Sequence, residues 1–141
     1  MKRRDFMISS AVAGVALASE RAVKSNVPTM LIPAAVKPLV VASSNGNRFK
    51  NGGDVTCVQK AYSMITKGED VLDALIAGVN IVELDPLDDS VGYGGLPNAD
   101  GVVQLDSSVM HGPKKRAGAV ACLEGVRMPS LVAKAVSEQT D

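Results

Sequence analysis

With 141 residues the chain has room for one domain at most. Fifteen Lys and Arg balance fifteen Asp and Glu, which argues against a nucleic-acid footprint or a polyanionic tail and leaves small, uncharged substrates open. Tryptophan is absent and only two Tyr and two Phe occur, so base-stacking platforms are excluded and the core must come from Val, Leu, Ile and Ala.

The N-terminus reads as an address. Met1-Lys2-Arg3-Arg4-Asp5-Phe6-Met7 joins a twin arginine to an apolar run, Phe6 to Ala18, that is short and rich in small residues for a bilayer span. This resembles a Tat signal peptide. Ala16-Leu17-Ala18 fits the small-x-small pattern of signal peptidase, which predicts cleavage between Ala18 and Ser19 and an exported, periplasmic or secreted product; an uncleaved anchor is the alternative. Removal would leave about 105 to 120 residues to fold. Residues 19–37 then read as a linker, with Pro28 and Pro33 inside it, Pro38 at its end and no sustained period.

The folded part is expected over residues 38–141. Pro38-Leu39-Val40-Val41-Ala42-Ser43 predicts a buried strand, ended by Ser44-Asn45-Gly46-Asn47. Asp54 predicts the cap of a helix with Val55, Val58, Ala61 or Tyr62, and Ile65 on one face, stopped at Gly68. Glu69 and Asp70 open a second helix, in which Val71, Leu72, Leu75, Val79 and Val82 form a stripe before Asp85-Pro86 breaks it.

Next comes a glycine-rich turn, Ser90-Val91-Gly92-Tyr93-Gly94-Gly95. Residues Val102 to Val109 and Ala117 to Leu123 read as neighbouring strands, and Pro129 occupies the first turn of a last helix carrying Leu131, Val132, Ala135 and Val136. The order is β-α-α-β-β-α, an α+β arrangement with helices stacked on one face of a sheet.

Candidate chemistry is sparse. Cys57 and Cys122 have no CxxC partner and read as buried free thiols on a helix and a strand, with a disulfide in an oxidising compartment as the alternative. His111, before Gly112-Pro113-Lys114-Lys115-Arg116, reads as a solvated loop histidine; no second histidine completes a common metal site, the aspartates lack EF-hand spacing, and no metal or cofactor is expected. The basic cluster Lys114-Lys115-Arg116 reads as a solvated loop. Gly92, Gly94 and Gly95 permit a tight turn and close packing. They do not form a dinucleotide fingerprint, because Pro97 stands where its third glycine belongs and a strand follows. Ser90, at the mouth of this turn, can donate and accept; it either serves a site or satisfies the turn's backbone. Asn45 reads first as a turn residue at the end of the predicted strand.

Several of these segments together resemble the glycosylasparaginase family of N-terminal-nucleophile hydrolases. The matching stretches are Leu72-Asp73-Ala74 with Gly78-Val79, Glu83-Leu84-Asp85-Pro86, Ser90-Val91-Gly92-Tyr93-Gly94-Gly95, Leu105-Asp106 through Met110, and Gly118-Ala119-Val120-Ala121, in the family's order from about Pro38 to Asp141. The resemblance implies the N-terminal, α-subunit-like portion of a four-layer αββα fold. It implies a partner: a β-subunit-like segment carrying a threonine that self-cleavage frees to attack the side-chain amide of a small asparagine-derived substrate. A homo-oligomer of complete αβ units is also compatible with it. No catalytic nucleophile is expected within this chain, which alone should be silent.

The family's serine before Val-Gly-aromatic-Gly-Gly lies near the nucleophile, so Ser90 is assigned the role of supporting it. Asn45 falls where characterised glycosylasparaginases carry the tryptophan of a Thr-Trp pair, which leaves the sugar-linked substrate open and admits contact with an amino-acid carboxylate or amine. An isoaspartyl peptidase or L-asparaginase of the same superfamily is the alternative, and a non-catalytic truncated scaffold is a third.

Overall fold

The structure, a computed structural model, describes residues 37–140. The predicted signal peptide, its cleavage site at Ala18 and Ser19, and all of the predicted linker except Lys37 lie outside the described residues. The described part is mixed: short helix α1 (Asn45–Arg48), helices α2 (Cys57–Thr66) and α3 (Val71–Glu83), a 3-10 turn at Gly92–Gly94, strands β1 (Leu105–His111) and β2 (Arg116–Leu123), and helix α4 (Pro129–Gln139). This is an α+β architecture.

The strand predicted over Pro38–Ser43 does not form. The segment has no ladder partner among the described residues, and Leu39 and Val41 remain 83% and 82% exposed. An apolar β-branched run becomes a strand only where a neighbouring strand takes up its backbone N–H and C=O groups. Asn45, expected to end that strand, instead begins α1.

Helix α2 also starts later than expected. Its cap is Thr56 rather than Asp54: Thr56 Oγ1 accepts from Gln59 N at 3.3 Å, and Gln59 Oε1 accepts from Thr56 N at 2.9 Å. This reciprocal pair satisfies two donors that a single aspartate would leave to water. Asp70 caps α3 as its position suggests, accepting from Leu72 N at 2.9 Å and Asp73 N at 3.3 Å.

Helices α2 and α3 pack side by side, and Ala61, Leu72, Ala74, Ile76 and Val82 are buried. The stripe predicted for α3 is only partly covered: Leu72 and Val82 are buried, whereas Leu75 and Val71 are 36% and 45% exposed. Leu75 and Val79 instead line an open cavity.

Strands β1 and β2 pair antiparallel, with Ser107 opposite Val120 and His111 opposite Arg116. The ladder begins at Leu105 rather than Val102, because Val102 is engaged in the Asn98 turn: Asn98 N donates to Val102 O at 2.8 Å and Val102 N donates to Asn98 Oδ1 at 3.0 Å. A register shift lies between Leu105 and Ser107. There Cys122, at φ +53, donates its N–H to Asp106 Oδ1 at 2.7 Å. The side chain replaces a ladder partner lost at the bulge. Cys122 is consequently exposed, not buried as expected; Cys57 is buried, and both are free.

Helix α4, with Pro129 at its first position, lies across both strands. The approach is very close at Gly118, where a Cβ would stand 2.2 Å from Ala133 O and 2.5 Å from Ser137 N, so only glycine admits this helix. His111 closes β1. It is 5% exposed, not solvated as expected: its Nε2 lies 2.8 Å from Asp70 Oδ2, and its Nδ1 accepts from Lys114 N at 3.0 Å. An Nδ1 that accepts leaves the proton on Nε2, directed at the Asp70 carboxylate. That bond, first among the causes, holds the Asp70 carboxyl well below the usual carboxylate range; desolvation opposes it, and the helix N–H groups add to the lowering.

Candidate functional site

The site grows out of the loop that follows α3. Three carboxylates there are buried, Glu83 at 3%, Asp85 at 4% and Asp88 at 2% exposed, and each is turned to a different neighbour. Glu83 reaches the start of α4, where its Oε1 accepts from Ser130 N at 3.0 Å and its Oε2 from Ser130 Oγ at 2.7 Å and Asn80 Nδ2 at 2.7 Å. Met128, the residue before α4, supplies no side-chain cap, so Glu83 caps that helix from across the core. Asp85 accepts from Asn51 N at 2.7 Å and from Leu87 N at 3.0 Å, tying the loop before α2 to the loop after α3.

Asp88 organises the glycine turn. Its Oδ1 accepts from Ser90 Oγ at 2.5 Å, Ser90 N at 2.8 Å and Val91 N at 3.1 Å. Burial by itself would raise the Asp88 carboxyl, but the hydrogen bonds from the Ser90 hydroxyl, the two backbone N–H groups and the Asn45 amide outweigh it, and the group sits below its ordinary value. The chain then turns through Gly92, at φ +61, where a Cβ would lie 2.2 Å from Glu83 O. No side chain fits there, and this close crossing keeps the Ser90 end of the turn against the C-terminus of α3.

The two residues singled out in the sequence come together. Asn45 Nδ2 donates to Ser90 Oγ at 3.1 Å although the residues lie 45 positions apart. The Asn45 Oδ1 accepts from Gly46 N at 3.0 Å and from the Ser43 hydroxyl, which fixes which end of the amide faces Ser90. Ser43, Asn45, Ser90 and Asp88 thus form one continuous relay from an exposed hydroxyl to a buried carboxylate. Sequence reasoning missed Asp88. The available signal was Asp88-x-Ser90 ahead of a glycine turn, the spacing at which an aspartate accepts from the backbone two residues on.

Asn45 also lines a cavity of about 290 Å³ with Val40, Ala42, Cys57, Leu75 and Val79. Burial raises the Cys57 thiol above its usual value, so it stands in this wall as a small neutral hydrophobe. The site therefore pairs an apolar hollow with one polar corner, a form common in small-molecule pockets. Among the described residues no group of three or more His, Cys, Asp or Glu side chains is placed to hold a metal ion.

A family model described as asparaginase matches residues 38–141. The chain belongs to the asparaginase family. Within that family of N-terminal-nucleophile hydrolases, this asparaginase-family chain is 37% identical over 139 residues to the N(4)-(beta-N-acetylglucosaminyl)-L-asparaginase of Elizabethkingia miricola, an alignment covering 98% of the chain and 38% of the relative. It is 33% identical over 88 residues to an isoaspartyl peptidase/L-asparaginase of Rattus norvegicus, covering 62% of the chain and 26% of the relative. It is 36% identical over 83 residues to an isoaspartyl peptidase of Salmonella typhimurium, covering 59% and 26%. The chain spans less than two fifths of the length of these relatives.

Proposed function

We propose that this chain is the α-subunit-like part of an exported, self-processing amidohydrolase that cleaves the side-chain amide of asparagine or an asparagine derivative. The observation that carries the reading is the polar corner itself: Asn45 and Ser90, joined at 3.1 Å, stand beside an apolar cavity in a chain of the asparaginase family. In this reading the nucleophile is a threonine freed at the start of a second, β-subunit-like segment. Its hydroxyl attacks the amide carbon, its own α-amino group takes the proton, and the amine leaves from a tetrahedral intermediate held by hydrogen-bond donors. Water then resolves the ester to the free acid. The present chain supplies scaffold and one wall of the pocket.

Export through the Tat route and cleavage after Ala18 belong to the same proposal, since that route carries proteins already folded and suits an enzyme that folds before it cuts itself. The four-layer arrangement belongs to it too: Pro38–Ser43 would become a strand when the second segment offers it a partner, covering Leu39 and Val41.

Isoaspartyl peptidase or plain L-asparaginase activity is the second reading. It is favoured by Asn45, a compact amide at the position where glycosylasparaginases carry a pocket tryptophan, which suits an unsugared amino-acid head better than an aromatic wall does.

The test is expression from the complete reading frame, with mass spectrometry for two subunits and assays against N-acetylglucosaminyl-asparagine, L-asparagine and a β-aspartyl dipeptide. Self-cleavage before a threonine together with hydrolysis of at least one substrate is the expected result. An uncleaved product inactive on all three overturns the proposal, and the ranking of the three separates its two versions.

A further inference from the structure

The relay has a direction, and Asp88 sets it. Ser90 has one hydroxyl proton. Its Oγ lies 2.5 Å from Asp88 Oδ1, which also receives two backbone N–H groups and has no proton of its own to offer while ionised. The proton therefore points inward. On the other side, Asn45 must present its NH2 end to Ser90, because its carbonyl oxygen already accepts from Gly46 N and from Ser43. One valence stays open, a remaining lone pair on Ser90 Oγ, since the Asn45 amide also bonds Asp88.

We propose, building on the amidohydrolase reading above, that Asp88 is a positioning residue acting through Ser90: it holds the Ser90 proton inward so that Ser90 meets the site's occupant as a hydrogen-bond acceptor. Ser90 then takes an N–H or O–H from the nucleophile or substrate and does not serve as an oxyanion donor. The lowered pKa of Asp88 supports this, since it keeps the carboxylate ionised, and so free of a competing proton, at neutral pH. Burial supports it as well. At 2% exposure Asp88 reaches no solvent and can touch no substrate, so whatever it does to a reaction passes through the side chains it holds, Ser90 first and Asn45 beside it.

The test uses Asp88→Asn, Ser90→Ala and the double variant in the processed protein. Asp88→Asn preserves shape but gives position 88 an N–H2 able to donate, so the Ser90 proton is no longer committed. Expected is a fall in kcat of about 100-fold or less, with KM within about threefold, because the loss is one of alignment rather than of binding surface. The double variant should lose less than the product of the two single losses, since Asp88 acts chiefly through Ser90.

An activity-independent measurement accompanies it. The Ser90 Cβ resonance should move in Asp88→Asn, with the melting midpoint recorded so that a merely loosened turn is recognised. Unchanged kcat in Asp88→Asn, multiplied losses in the double variant, or an unmoved Ser90 resonance each overturn the proposal. If the wild-type protein hydrolyses none of the three substrates, the amidohydrolase reading has failed, and the resonance alone decides whether Asp88 orients Ser90.

Discussion

Glu83→Ala should be among the most damaging single substitutions in this chain. The Glu83 carboxylate receives three donors, Ser130 N, Ser130 Oγ and Asn80 Nδ2, in a region 3% exposed. Removing it does not orphan all three, because Asn80 Nδ2 already lies 3.0 Å from Ser130 Oγ and those two groups can keep each other. The Ser130 N–H, at the uncapped start of α4, has nothing else. A buried donor left alone costs about 1 to 3 kcal/mol, and each lost bond to a charged acceptor is worth about 1.5 to 3 kcal/mol. With the void left by the side chain, the expected loss is about 3 to 5 kcal/mol, a large share of a domain's total stability.

Glu83→Gln isolates the charge and one donor. Its carbonyl oxygen can take Ser130 N and its NH2 can donate to Ser130 Oγ, leaving a single clash of donors at Asn80; about 1 to 2 kcal/mol is expected. Urea unfolding followed by circular dichroism measures both, and with a slope of about 2 kcal/mol per molar the alanine variant should unfold about 2 M earlier than wild type. A Glu83→Ala midpoint within about 0.5 M of wild type at that slope would refute the claim that Glu83 caps α4. A glutamine variant as weak as the alanine variant would refute the division between charge and cap.

Gly118→Ala should separate α4 from the sheet, since its Cβ would meet the backbone of Ala133 and Ser137 at 2.2 and 2.5 Å; a loss of at least about 2 kcal/mol, read by thermal melting, is expected, and a neutral outcome would mean that α4 does not seat as described. The pH dependence of stability should carry a contribution from Asp70. Its folded pKa is depressed, so the stabilisation is fully present above the unfolded value of about 3.9 and is lost as pH falls through the lower folded value; Asp70→Asn should flatten the melting curve in that acid range, and an unchanged acid limb counts against the Asp70–His111 bond.

The helices were legible because their signals are local. Asp70 at the head of α3, Asp85-Pro86 after its end and Pro129 at the start of α4 act on the backbone within a turn of where they stand. The start of α2 was legible in principle too, through the Thr56-x-x-Gln59 spacing, and was missed because Asp54 is the stronger cap by composition alone. His111 was misread for a different reason. Its neighbours Gly112 and Pro113 describe a turn correctly, but its burial depends on Asp70, 41 residues away, which no local pattern reports.

What the sequence determined by itself, then, is the set of elements whose causes lie within a few residues, together with a run of ordered motifs specific enough to indicate the family. Tertiary structure alone decided three things. Whether Pro38–Ser43 is a strand depends on a partner for its backbone, since ladder hydrogen bonds are made between segments and not within one. Which face of α3 is covered depends on what packs there, so Leu75 and Val79 border a cavity although their spacing suited a core. The polar corner exists only because Gly92 lets the turn close against Glu83 and brings Ser90 within reach of Asn45. Separations of that kind are bridged by packing, and packing is a property of the folded chain.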